Sequence, residues 1–162
     1  MTVIFLDIDG VLCTPLSVRL NWLFRRPMER PFFDPIALGL LRRLVRRTGA
    51  RVVLSSSWRY SFEDDDPFMQ AIRDHFYRTL EANGTPVWDL APILGRSKGE
   101  EIAAWLEQHP GAGFVILDDR PDEFTGTPAL KARLVEVDSM RGLRRRDFRQ
   151  ALDLLAGVAP GV

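Results

Sequence analysis

The chain holds a single cysteine, Cys13, so no internal disulfide staples it, and no Cys/His cluster has the spacing of a zinc site. It also lacks net charge. Lys plus Arg number 22 and so do Asp plus Glu, which removes any overall field toward nucleic acid or membrane but leaves room for a local basic patch. No apolar run approaches the roughly 20 residues of a membrane-spanning helix. Val3-Ile4-Phe5-Leu6 is too short for the apolar core of a secretion signal and has no basic leader. A reducing, cytoplasmic setting is therefore expected. Lysine is nearly missing too: Lys98 and Lys131 are the only two in a chain that otherwise uses arginine.

What is present is a hydrophobic content of 46% across 162 residues, enough for one core and one domain over 1–162. Val3 to Leu6 is a continuous apolar run ended by Asp-Ile-Asp-Gly, the pattern of a fully buried strand. Residues 13–33 keep no period for long and carry Pro15, Pro27 and Pro31, so a long loop or short cap-like insert is expected there. Asp34-Pro35 then opens a helix with Leu38, Leu41 and Val45 on one face, closed by Gly49. Arg51 to Leu54 reads as a second strand, running into Ser55-Ser56-Ser57-Trp58.

Asp66-Pro67 starts the next helix, with Phe68, Ile72, Phe76 and Leu80 recurring until Asn83-Gly84. A short strand falls around Val87-Trp88. Ser97-Lys98-Gly99-Glu100 is a capping box opening a helix whose Ile102, Trp105 and Leu106 face inward. Phe114 to Leu117 is another buried strand, ended by Asp118-Asp119. Leu134 to Val137 is one more, ended by Asp138, and a last helix carries Phe148, Ala151, Leu152 and Leu155. Apolar strands alternating with amphipathic helices imply an α/β fold: a mostly parallel sheet covered on both faces.

In such sheets ligands bind beyond the carboxyl ends of the strands, and here those ends carry the chemistry. One strand delivers Asp7 and Asp9, which point to the same side two residues apart. Another delivers serines, and a third Asp118 and Asp119. Two unit charges about 4 Å apart repel by roughly 4 kcal/mol at an effective dielectric near 20, so four clustered carboxylates call for a cation. An all-oxygen donor set without His or Cys favours Mg²⁺. A metal, a carboxylate nucleophile, hydroxyl donors and a lysine together suit phosphoryl transfer.

Asp7-Ile-Asp-Gly-Val-Leu12, Leu54-Ser-Ser-Ser-Trp58, Lys98 at a helix start and Leu117-Asp-Asp-Arg120 resemble, in that order, the four motifs of the haloacid dehalogenase (HAD) superfamily. The resemblance implies a HAD-like Rossmannoid three-layer sandwich with a minimal cap at 13–33. It implies Asp7 as the phosphorylated nucleophile and Asp9 as general acid and base, its backbone carbonyl touching Mg²⁺. Ser56, with Ser55 a close second, and Lys98 would hold the phosphoryl oxygens. Asp119 would ligate the metal and Asp118 would support Lys98 or the water shell. Ser-Ser-Trp-Arg, Lys-Gly-Glu-Glu-Ile and Val-Asp-Ser-Met-Arg-Gly-Leu are more narrowly similar to HAD domains found alone or joined to RNA-repair modules. The resulting expectation is a Mg²⁺-dependent phosphatase acting on a phosphorylated small molecule or nucleotide.

Other features of the chain admit plainer readings. A lone Asp-x-Asp-Gly also begins calcium loops, but this one follows a buried strand and lacks the later acids of an EF-hand. Ser57, Arg59 and Arg120 are expected near the phosphate, although either arginine could pair with Asp64 to Asp66 instead. Trp22, Phe24, Phe32 and Phe33, interleaved with Arg19, Arg25, Arg26 and Arg30, fit an aromatic, cationic lid for a nucleotide or a nucleic-acid terminus. An insert packing those rings on its own domain is the plainer view. His75 reads as structural or solvated and Asp138 as a turn residue, while Arg144-Arg145-Arg146 fits a phosphate-facing patch or, more plainly, a solvated helix start. Two other functional classes stand beside the phosphatase: a nucleic-acid end-processing or binding module, and an idle HAD fold serving as an interaction protein.

Overall fold

The computed structural model describes residues 1–62 and 65–157. Five strands lie among the described residues: β1 (Thr2–Leu6), β2 (Arg51–Leu54), β3 (Val87–Leu90), β4 (Gly113–Asp118) and β5 (Leu134–Glu136). They form one sheet in the order β3-β2-β1-β4-β5, parallel throughout. Burial on both faces explains why four of them read as unbroken apolar runs. The helices are α1 (Pro15–Leu23), α2 (Pro35–Thr48), α3 (Trp58–Ser61), α4 (Pro67–Ala82), α5 (Lys98–Gln108), α6 (Pro128–Lys131) and α7 (Arg145–Ala156), with a 3₁₀ turn at Pro121–Phe124. No helix among the described residues is long and apolar enough to cross a membrane.

The period-two alternation of the strands gives the sheet two cores. Ile4, Leu6, Val52, Leu54, Val115 and Leu117 meet α2, α4 and α7 through Leu41, Leu44, Phe76, Leu80 and Phe148 on one face. On the other, Val3, Phe5, Val53 and Ile116 meet Ile102 and Trp105 of α5. That is the expected three-layer Rossmannoid sandwich. Because β2 and β3 lie to one side of β1 while β4 and β5 lie to the other, the winding reverses beside β1, and a crevice opens between the ends of β1 and β4.

The helix-start signals are realised as hydrogen bonds. Asp34 accepts from the amides of Ile36 and Ala37 at 2.8 and 3.2 Å, and Gly49 closes α2 in the left-handed conformation at φ 65°. Asp66 caps α4 through the Phe68 amide, and Ser97 with Glu100 forms the reciprocal box at α5. Asp34 also pairs with Arg144 at 2.7 Å, which takes that arginine out of the solvated start expected for α7.

Residues 13–33 are not a loop alone. Thr14 and Ser17 form a capping box and Pro15 occupies the first position of the nine-residue α1. The apolar periodicity that normally marks a helix is missing, since Ser17 is the only residue of α1 that is fully buried. The short α3 and α6 likewise have no amphipathic stripe to betray them. The Asp34 amide donates to the Leu12 carbonyl at 2.8 Å, so the segment leaves and rejoins the sandwich at nearly one point. His75 binds the Pro31 carbonyl at 3.0 Å and stacks on Phe33, which anchors the returning strand of chain.

Phe33, Trp58 and Phe76 stand with ring centroids 5.8 to 6.1 Å apart, joining the insert, α3 and α4. Phe76, fully buried, is the centre of that cluster. Truncation to alanine leaves a large apolar void, so Phe76→Ala is expected to lower unfolding free energy by about 3–5 kcal/mol. Urea denaturation followed by far-ultraviolet circular dichroism measures it.

Candidate functional site

Pairing of β1 with both neighbours brings Asp7 to the middle of the sheet end. The Asp7 amide donates to the Leu117 carbonyl and the Ser55 amide to the Leu6 carbonyl, each at 3.0 Å. The three strands thus present Asp7, Ser55 and Asp118 side by side. The register fixes their relative heights.

Lys98, in the first turn of α5, reaches across this row. Its ammonium lies 3.0 Å from Asp7 Oδ1 and 2.8 Å from Asp118 Oδ2. Asp118 is fully buried and its second oxygen accepts from the Arg120 amide at 2.9 Å. Burial first, then repulsion from Asp7, raises the Asp118 carboxyl above the ordinary range, with Lys98 partly opposing. Burial works against the Lys98 charge, but Asp118 and Asp7 outweigh it and hold the ammonium more firmly protonated than usual. Asp119 is raised as well, by burial and then by Asp7.

Asp7, Asp118 and Asp119 each bring one oxygen within 4.8 Å of the other two. This close approach depends on Gly10. At φ 73° it takes a backbone conformation that side chains disfavour, and a Cβ there would overlap the Asp119 carboxylate. The donor set is all oxygen and excess negative charge crowds it, so the residues fit a hard divalent ion such as Mg²⁺.

Asp9 sits at the exposed rim. Its carboxylate accepts from Trp58 Nε1 at 3.0 Å, and its proton affinity is raised mainly by burial, with Asp7 adding to the effect and the indole opposing. Trp58 was visible in the sequence only as part of a serine-rich turn, and its contact with Asp9 spans 49 positions. No local pattern reports such a pair. A cavity of about 220 Å³ runs from Asp7 and Asp9 to Ser57, Lys98, Asp119 and Arg120, and also takes in Arg96 and Tyr60, which sequence reasoning passed over.

The three serines have different fates. Ser57 lines the cavity. Ser56 is buried and its hydroxyl accepts from the Trp58 amide at 3.3 Å, forming a local turn. Ser55 is also buried, and among the described residues its Oγ is the one buried side-chain nitrogen or oxygen without a hydrogen-bond partner. An orphaned hydroxyl in register beside Asp7 is unusual, because buried polar groups are nearly always satisfied.

Neither arginine pairs with Asp65 or Asp66, and Asp64 lies outside the described residues. Arg59 is only 2% exposed. Its guanidinium holds Glu101 at 2.7 Å and the carbonyls of Ser55, Ser56, Ala91 and Pro92. With its donors so engaged, Arg59 braces the turn after β2. Glu101, which sequence reasoning missed, completes the brace and also accepts from the Leu94 amide. Arg120 stays at the exposed rim, paired with Asp122 and Glu123.

Trp22 and Phe24 stand 84% and 63% exposed, whereas Phe33 is buried and Phe32 half-buried, so the insert packs only some of its rings. Asp138 accepts from the Met140 amide in a turn, as expected. Cys13 is kept neutral by burial and the nearby carboxylates, which leaves it a poor nucleophile.

Comparison with curated proteins finds no match. A family model does match, over residues 3–148, nearly the whole sandwich and all the elements that frame the crevice. On that extent of similarity, the chain belongs to the family described as the HAD domain in Swiss Army Knife RNA repair proteins.

Proposed function

We propose that this protein is a Mg²⁺-dependent phosphomonoester hydrolase in which Asp7 accepts the phosphoryl group. The observation that carries this reading is the Lys98 ammonium bridging Asp7 and Asp118 with Asp119 at ligand range, all at the reversal point of the sheet. Membership of a HAD family supports it, since phosphohydrolase chemistry is what that superfamily implies. Residues 1–162 act as one domain, with 13–33 as a short cap.

Asp7, Asp119 and the Asp9 carbonyl would hold the metal, with Asp118 supporting the set through Lys98. When bound, the ion neutralises phosphate charge and orients the ester. The Asp7 carboxylate attacks phosphorus in line, and the bond to the ester oxygen breaks as Asp9 passes its proton to that oxygen. Asp9 then draws a proton from water, which cleaves the aspartyl phosphate. A raised proton affinity suits a donor. Lys98 holds an equatorial phosphoryl oxygen as a compact charge, a role for which arginine's planar fork is less suited. Ser55 takes the hydroxyl role in preference to Ser56, because its Oγ is free to donate. Ser57 and Arg120 contact the phosphate from the rim. Arg59 is assigned to positioning because its guanidinium is already engaged.

An idle fold with the same residues would not turn over, and mutation settles the matter. Asp7→Asn is expected to abolish hydrolysis of p-nitrophenyl phosphate, and EDTA to silence the wild type reversibly on return of Mg²⁺. Undiminished activity in Asp7→Asn removes Asp7 from the nucleophile's place.

Trp58→Phe keeps a ring for the Phe33–Phe76 cluster but deletes the N–H to Asp9. It is expected to slow alkyl phosphates, whose leaving oxygen needs a proton, about tenfold or more within the range for general acids. p-Nitrophenyl phosphate, with its good leaving group, should slow much less. Steady-state rates on the two esters measure the difference.

The raised carboxyls also set a pH dependence. A carboxyl whose folded pKa exceeds its unfolded value binds its proton more tightly in the native state, so metal-free stability falls as pH rises from the unfolded value through the raised one. A cation replaces the lost protons. Mg²⁺ should therefore raise Tm more at pH 7.5 than at pH 5, and Asp119→Asn should remove most of that difference in a thermal-shift titration.

A further inference from the structure

The cavity over Asp7 carries one cation that no carboxylate balances. Among the described residues four cations line it: Arg59, Arg96, Lys98 and Arg120. Three of them are matched. Arg59 is buried against Glu101, Lys98 bridges Asp7 and Asp118, and Arg120 pairs with Asp122 and Glu123. Arg96 is exposed and has no carboxylate partner among the described residues.

An unpaired arginine on a loose loop would be an ordinary solvated charge. The segment carrying Arg96 is instead fixed on both sides. The Leu94 amide donates to Glu101 Oε1 at 2.8 Å, and Glu101 is itself buried against Arg59. Gly95 turns the chain in the left-handed conformation at φ 65°, which glycine takes without strain. The Ser97 amide then donates to Glu100 Oε2 at 3.1 Å in the capping box of α5. Tyr60 lines the same cavity and is tied to Glu101 too, its hydroxyl donating at 3.2 Å. One buried carboxylate thus holds both the Arg96 loop and the Tyr60 ring.

Depth separates Arg96 from the phosphoryl site. The Lys98 side chain is only 14% exposed and reaches Asp7 and Asp118, whereas Arg96 stays before the start of α5 and in solvent. Lys98 and Ser55 already serve the transferred group, so a guanidinium farther out meets the remainder of the substrate. The cavity is about 220 Å³, below the roughly 300–1,000 Å³ of pockets for drug-sized ligands, so that remainder is compact. A guanidinium's planar fork matches the paired oxygens of a carboxylate or a phosphate.

We infer that Arg96 is a specificity-determining residue that binds a second anionic group, carboxylate or phosphate, on a compact phosphomonoester whose scissile phosphate lies at Asp7. The inference rests on the phosphohydrolase reading of Asp7 and deepens it. A contact made equally in the ground and transition states acts on KM rather than kcat. Its exposed position makes it weaken with salt.

Steady-state kinetics in Mg²⁺ compare three esters of one carbon-chain length: propyl phosphate, 3-phosphonooxypropanoate and propane-1,3-diol bisphosphate. The wild type is expected to show a lower KM for the two-headed esters than for propyl phosphate. Arg96→Gln should raise the ratio of their KM to that of propyl phosphate about tenfold, the lower end for a hydrogen bond to a charged group. Arg96→Lys should recover part of the preference, restoring the charge without the fork. The ester that loses more in Arg96→Gln identifies the second group as carboxylate or phosphate.

Titration calorimetry of the Asp7→Asn chain with the same esters reads the preference without turnover. Equal affinity for all three esters overturns the inference, whether or not they are hydrolysed. So does a change in Arg96→Gln that is the same for all three, which a merely structural role would give. If no ester is hydrolysed by the wild type while the two-headed esters bind more tightly through Arg96, the catalytic reading fails and the anion site stands. Hydrolysis of propyl phosphate with no preference for a second anion removes the anion site and leaves the catalytic reading.

Discussion

The site hangs on the ammonium of Lys98. It holds two buried carboxylates from adjacent strands, Asp7 and Asp118, that would otherwise repel across a poorly solvated gap. Without a cation between them the ends of β1 and β4 could not carry charge so close together. One helix start therefore ties the two strands that flank the crevice. The capping box of Ser97 and Glu100 sets the first turn of α5, and that turn sets where the ammonium goes.

The remaining geometry serves the same end from the other side. Arg59 and Glu101 form a buried pair whose further hydrogen bonds to four carbonyls hold the turn after β2. Buried ion pairs gain little net stability but enforce one arrangement strongly, because a lost partner leaves a charge stranded. Here the enforced arrangement is the position of Ser55 and Ser56 relative to Asp7. Trp58 does comparable work for Asp9, with its ring fixed by Phe33 and Phe76 and its N–H turned to the carboxylate. The aromatic cluster that builds one core thus also orients the group proposed to move the proton.

The insert belongs to a different regime. It is tied down at Leu12–Asp34 and at His75–Pro31, yet its outward face buries almost nothing. Exposed rings such as Trp22 and Phe24 are costly to leave in water, whereas the arginines beside them are well hydrated.

Local chemistry in the sequence was enough for the α/β class, the order of the elements and the capped helix starts at Asp34, Asp66 and Ser97. Each of these rests on interactions within a few residues or on burial of a whole run, which period and composition report directly. The motif-bearing strand ends were legible for the same reason. Helix α1 was missed because tertiary contacts bury only Ser17, so no stripe exists for a period to reveal, although Thr14-Pro15-x-Ser17 was there to be read. Only the folded chain could leave the Ser55 hydroxyl unpartnered while Ser56 closes a turn, direct Arg59 inward to Glu101 and set Trp58 against Asp9. Those outcomes depend on partners tens of residues apart, and a single sequence holds no record of which distant groups will share a desolvated space.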